Sequence, residues 1–303
     1  MGLINKGRVN IVITNKVLRY TYHKNTSVDG VVTHGEVVLP PGVIKDGTIE
    51  NRSILLEILN KLVQKYKWKR KKLYFCVPDD TVVIRKLKIP VSLSKDEADG
   101  YIKTQIGNSF YLPFANPAIA IEFLESDETS RNILIFAYPK EKLTAFEAVF
   151  EAAGLKPIAA DLTSLSVYRY YYVSKKEDKD HVLLIHWNQD ALVLTAFQRD
   201  KAIFSRYMKI DSPEEENTGE DLRIRIVDEY IIEINRIIDF YHYSITKGEA
   251  QINQLLLSGD TPFLETAKKR LSDAVTIPVY HFQAEEQPIK YIDVLGLALK
   301  QES

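Results

Sequence analysis

The stretch NQLLLSGDTPFLETAKKRL, residues 253–271, decides how the chain is read. Leu255, Leu256 and Leu257 form an apolar run of the length of a buried strand. Ser258, Gly259 and Asp260 then make a turn, and Thr261 followed by Pro262 predicts an N-cap and a first-turn proline. A strand, turn and helix of this kind leave backbone N–H groups aimed into space at the helix start, which suits a phosphate. Whether the turn serves a nucleotide depends on what the rest of the chain brings to it.

Upstream, HVLLIHWN (181–188), DALVLTAFQ (190–198) and KAIFSRYMKI (201–210) read as three consecutive strands. The acidic segment DSPEEENTGED (211–221) reads as a solvated loop, and Val227, Tyr230, Ile231, Ile234, Ile237, Ile238 and Tyr241 line one face of a long helix. The first half repeats that order. RVNIVITN, KVLRYTYHK and GVVTHGEVVLP alternate as strands, with turns at Asn15-Lys16 and around Asn25 to Gly30. Ile54, Leu55, Ile58, Leu59, Leu62, Val63 and Tyr66 then mark a helix, and KLYFCVP a buried strand. Two halves that each run strand, strand, strand, helix, strand predict a duplicated α/β fold with a cleft between two lobes.

Between the halves lies a compact α+β block. DTVVIRKLKIP reads as a strand, and LSKDEADGYIKTQIGNSF as a helix with a capping box from Ser94 to Glu97. PAIAIEFLE and RNILIFAYP are two further strands, and KEKLTAFEAVFEAAG is a helix closed by Gly154. The expected boundaries are an N-terminal lobe over 1–180, with its core in 1–80 and 154–180 and the insert in 81–153, and a C-terminal lobe over 181–303.

The 303 residues carry a formal net charge of -1, so nothing draws the whole chain towards nucleic acid or an anionic membrane. Cys76 is the single cysteine, which excludes an intrachain disulfide and a four-cysteine zinc site and reads as a small buried hydrophobe. Six histidines form no zinc-site spacing, and no serine-nucleophile elbow is present. KWKRKK (67–72) reads as a solvated helix end with cations near the negative dipole, which also suits weak membrane-surface contact. VYRYYYV (167–173) puts tyrosines on several helical faces, half of them expected in a core. The N-terminus lacks a secretion-signal core and no apolar run is long enough to span a bilayer, so the expected setting is cytoplasmic.

Several segments carry a resemblance: IRKLKIPVSLSKDEADGYIKTQIGNSFYLPF, FAYPKEKLTAFEAVFEAAGLKPIAADLTSLSVYRY, IEINRIIDFYHYS, LLLSGDTPFLETAKKRL and YIDVLGLALK. In that order they resemble PilM, the actin-like protein family of type IV pilus assembly. The resemblance implies the actin-like two-lobe fold, belonging to the superfamily of actin, chaperone ATPases and sugar kinases, with an inserted subdomain. It implies a cytoplasmic adaptor at the inner face of the membrane, which takes the N-terminal peptide of a PilN-like bitopic membrane protein in a groove between the first lobe and the insert. The pilus assembly ATPase and self-association are further partners it implies, and nucleic acid is not one. By the same resemblance the candidate groove lining is Tyr101, Ile102, Gln105, Ile106, Phe110 and Leu112.

The nucleotide site departs from the actin-like pattern. Relatives place an Asp-x-Gly turn in the first hairpin of each lobe, where glycine admits the phosphates and the carboxylate positions magnesium. Here Val12, Ile13 and Thr14 stand in the first hairpin and Ile185, His186 and Trp187 in the second. Trp187 is expected to fill phosphate space, and only Ser258-Gly259-Asp260 survives. The expectation is therefore no catalysis, no metal and no cofactor. The alternative is an actin-fold ATP-binding protein, a slow ATPase or nucleotide-gated polymer similar to FtsA. It would hold Mg-ATP through Thr14, Asn15, Lys16, Asn188, Asp190, Ser258, Gly259 and Asp260. A metabolite kinase would have Asp190 as its sole candidate acid.

Overall fold

The computed structural model describes residues 7–27, 30–175, 180–210, 219–282 and 289–301. Most of the expected acidic loop, residues 211–218, lies outside them. The first lobe is a five-stranded sheet in the order β10-β6-β1-β2-β3, built from β1 (Arg8–Ile13), β2 (Val17–His23), β3 (Val31–Val38), β6 (Lys72–Val77) and β10 (Lys156–Leu162). The second sheet runs β13-β12-β11-β14-β15, from β11 (His181–Trp187), β12 (Ala191–Gln198), β13 (Lys201–Lys209), β14 (Gln254–Gly259) and β15 (Val279–His281). In both, three strands meander antiparallel and two more are added parallel beside the first. A small β4 (Ile44–Lys45) and β5 (Thr48–Ile49) hairpin follows β3.

Strand alternation divides the apolar residues between two faces of each sheet. On the outer face of the first lobe, Ile11, Leu18, Leu73 and Phe75 pack under α1 (Arg52–Tyr66) and α3 (Lys140–Ala152). On the outer face of the second, Leu183, Ile185 and Leu257 pack under α5 (Glu220–Phe240) and α6 (Leu264–Ala274). The inner faces share one core. Val12, Tyr74 and Cys76 of one sheet and Val182, Leu184 and Leu256 of the other enclose α4 (Thr163–Lys175) and α7 (Ile292–Ala298). Tyr168, Tyr170 and Tyr171 are buried there, while Tyr172 is half exposed.

The insert is a three-stranded sheet, order β7-β9-β8, from β7 (Val83–Pro90), β8 (Pro117–Ser126) and β9 (Ser130–Pro139), with α2 (Lys95–Gln105) on one face. The Ser94–Glu97 capping box is formed. Helix α3 falls within the 81–153 boundaries, yet its Phe146, Val149 and Phe150 join the first lobe's core. Likewise α7 falls within 181–303 but packs against α4, β1 and β2.

Two details differ from the sequence reading. Helix α6 starts at Leu264 with Phe263 at its N-cap position and no side-chain cap, so Thr261-Pro262 is still turn. Strand β14 runs through Gly259, which delays the helix. Trp187 does not face the cleft: odd-numbered side chains of β11 point outward, and its indole packs on Tyr230 at 5.4 Å in the outer core.

Where α7 crosses α4 their backbones touch: a Cβ built on Gly296 would lie 1.9 Å from the Ser166 carbonyl oxygen. Arg8 meanwhile donates to the carbonyls of Ala298 and Lys300, both at 2.5 Å, capping the C-terminal end of α7. Gly296→Ala, which by helix propensity alone would stabilise by about 1 kcal/mol, is expected to destabilise by about 2 kcal/mol or more through overpacking. Urea unfolding of the variant measures this.

Candidate functional site: a closed cleft and an open seam

Three turns meet where a nucleotide would enter. Asn15, between β1 and β2, donates from Nδ2 to Asp190 Oδ2 at 2.8 Å, between β11 and β12. The Gln189 backbone N–H donates to Asp260 Oδ1 at 3.1 Å, after β14. Thr14 Oγ1 is used within its own turn by the N–H groups of Lys16 and Val17. Lys16 is exposed, Asn188 is buried with Oδ1 unpartnered, and Ser258 is buried with Oγ unpartnered. The structure thus bonds Asn15 to Asp190, and the Gln189 backbone beside Asp190 to Asp260.

Asp260 is held by a residue that sequence reasoning missed. Arg19, 1 % exposed, donates from Nη2 to Asp260, from Nη1 to Asp293 at 2.8 Å and from Nε to Glu36 at 3.3 Å. Burial works against the Arg19 charge, but the Asp293 and Asp260 carboxylates outweigh it and raise its pKa above the ordinary arginine value. Lys290 closes the network on Glu36 at 2.5 Å, and Glu36, despite a burial penalty, is held below the usual carboxylate range by Lys290 and Arg19. The signal was present in outline: in VLRYTYH the positions 17, 19, 21 and 23 share a face, and Asp293 stands inside the apolar YIDVLGLAL.

Mg-ATP, which the actin-like fold implies, does not fit these residues. The turn after β14 uses its donors internally: Thr261 N–H goes to the Trp187 carbonyl at 3.1 Å and Leu264 N–H to the Thr261 carbonyl at 3.3 Å. Gly259, at φ +129, is required because a Cβ there would sit 1.9 Å from the Trp187 oxygen. Between the hairpins lies a cavity of about 30 Å³, lined by Thr14, Asn15, Asp79, Thr163, Asn188 and Asp190 among others, enough for a water molecule. It is acidic: burial raises the Asp190 carboxyl against the pull of Asn15.

A larger cavity opens on the seam between insert, first lobe and β13. Its volume is about 390 Å³, and its walls include Val77, Val82, Phe136, Leu162 and Leu165, with Asp161, Asp200 and Lys300 as polar points. Five consecutive β8 residues, Ala118 to Glu122, line it. A strand shows one face only every second side chain, so the backbone edge of β8 forms part of the wall. That edge carries no neighbouring strand among the described residues. Lys201 of β13 pairs with Glu122 of β8, which ties the second lobe to the insert beside the opening.

The six groove candidates sit elsewhere. Ile102 is buried in the insert's own core with Ile89, Ile133 and Ile135, and Tyr101 and Phe110 pack on the same side. Gln105, Ile106 and Leu112 are half-buried at the exit of α2. All six belong to α2 and the segment that leaves it, and none lines the seam cavity.

Asp79, fully enclosed beside the small cavity, accepts the Thr163 N–H at 3.2 Å. Burial pushes its carboxyl up to about 7. An acid whose pKa is higher folded than unfolded keeps a proton that the unfolded chain releases. That stability is complete below about pH 4 and lost as pH rises through about 7. Asp79→Asn, which retains the acceptor, is expected to gain on the parent by about 2 kcal/mol more at pH 8 than at pH 5, measured by urea unfolding at both.

Comparison with known proteins bears on the fold and the family. A search among curated protein sequences gives no match. Among solved structures the chain is similar to a PilM-PilN type IV pilus biogenesis complex, with TM-score 0.75 at 14 % identity over 96 % of this chain and 97 % of that one. It is also similar to the ethanolamine utilization protein EutJ of Carboxydothermus hydrogenoformans (TM-score 0.58, 10 % identity, 97 % and 89 % covered). A third is MreB5 of Spiroplasma citri bound to ADP (TM-score 0.56, 9 % identity, 95 % and 94 % covered). These likenesses show the actin-like fold. The family model "Type IV pilus assembly protein PilM" matches residues 16–230, well over half the chain, and the chain therefore belongs to the PilM family of type IV pilus assembly proteins.

Proposed function

We propose that this chain is a non-catalytic adaptor of type IV pilus assembly, seating the N-terminal cytoplasmic peptide of a PilN-like membrane protein in the seam cavity. The observation that carries the reading is the seam itself: an apolar cavity of about 390 Å³ flanked by the free edge of β8. An extended peptide can add to such an edge through backbone hydrogen bonds, while the apolar walls take alternate side chains. The closed turns around Asn15, Asp190 and Asp260 support a role without phosphoryl transfer, because the donors and carboxylates it would need are bound to one another. No helix among the described residues is long and apolar enough to cross a membrane, and the partner supplies the attachment in this reading.

Peptide capture distinguishes the seam from the α2 face. Ala120 is exposed on the cavity wall, so Ala120→Trp is expected to weaken binding of a synthetic peptide matching the partner's N-terminus at least tenfold in calorimetry, with unfolding temperature unchanged. Tyr101→Asp is expected to leave it intact. The reverse pattern moves the site to α2, and millimolar Mg-ATP raising the unfolding temperature by several degrees would favour the nucleotide-binding reading instead.

A further inference from the structure

We propose that Arg19 is a resident replacement for a nucleotide, a guanidinium that closes the interlobe cleft from within and fixes the two lobes in one arrangement. Its three nitrogens each bond a different carboxylate: Asp260 on the second lobe, Asp293 at 2.8 Å on α7, and Glu36 at 3.3 Å on the adjacent strand. A planar fork serves three acceptors in fixed directions, which a lysine ammonium on a flexible stem does not. The partners come from three separate segments, so the contacts form only when both lobes and α7 are in place. Asn15 to Asp190, hairpin to hairpin, is a second strap across the same cleft.

The charge balance opposes a polyphosphate. Around Arg19 stand the carboxylates of Asp260, Asp293 and Glu36, with Lys290 the only other cation paired into that group among the described residues. Three carboxyl groups therefore face two cations at this centre, and a fourth, Asp190, stands beside it in the second hairpin. Removing Arg19 opens a more acidic space, not a phosphate site. The proposal concerns closure alone and does not depend on which peptide the seam cavity takes.

The test measures closure directly in the full chain. Spin labels are placed on Ser53→Cys of α1 and Lys269→Cys of α6, both exposed, while native Cys76 is buried and out of reach of the label. Pulsed-resonance distances are recorded with and without millimolar Mg-ATP. The parent is expected to give one narrow distance, unchanged by Mg-ATP. Arg19→Met combined with Asp260→Asn and Asp293→Asn, which leaves neither aspartate charge uncompensated, is expected to broaden the distribution towards longer distances and still to ignore Mg-ATP. A parent-like distribution in that variant, or a distance that moves with Mg-ATP in the parent, overturns the proposal. Should the triple variant fail to fold, Arg19→Lys decides: a broadened distribution supports the staple, and a parent-like one refutes it.

Discussion

A guanidinium at the centre of a folded chain constrains everything around it. Taking Arg19 out of water carries a penalty of several kcal/mol unless its donors are matched by carboxylates in good geometry. The chain supplies them from β3, the turn after β14, and α7. Removing one partner of such a buried pair typically destabilises by about 3–5 kcal/mol. The meander of the first lobe, the crossing of α7 between the sheets and the position of the second lobe therefore stand or fall together. Arg8 on the last carbonyls of α7 and the Gly296 contact with Ser166 fix that helix where Asp293 can be reached.

The same arrangement shapes the space around the cleft. The three turns are bonded in series, Asn15 to Asp190 and the Gln189 N–H to Asp260, and a cavity of about 30 Å³ lies between the hairpins. A cavity of about 390 Å³ opens where the insert sheet leans on the first lobe and β13, and its walls come from both halves of the chain. The Lys201–Glu122 pair is half exposed and weak alone. The shape of the seam therefore depends chiefly on the shared central core and on the cleft chemistry behind it. Closure of the cleft and the shape of the seam thus rest on the same central core.

What the sequence determined by itself was the order and type of most elements, though not β4, β5, β10, β15 or α7. Period-two alternation in RVNIVITN and HVLLIHWN, the helical stripes from Ile54 to Tyr66 and from Val227 to Tyr241, and the Ser94 capping box are local patterns, and local patterns survive reading one segment at a time. The duplicated order, and with it the two-lobe fold, follows from them. The absence of glycine from both hairpins was likewise legible. The tertiary structure decided which side chains enter the cleft. Trp187 looked like the residue filling the cleft, but strand alternation turns it outward, and Arg19, which the sequence reading did not single out, is the one that enters. Its partners lie 17, 241 and 274 residues away along the chain. The seam cavity is equally invisible beforehand, because β8, β10, α4 and β13 become neighbours only after both sheets have packed on α4 and α7. Charge pairing and cavity shape depend on which faces meet, and no spacing within one segment encodes that.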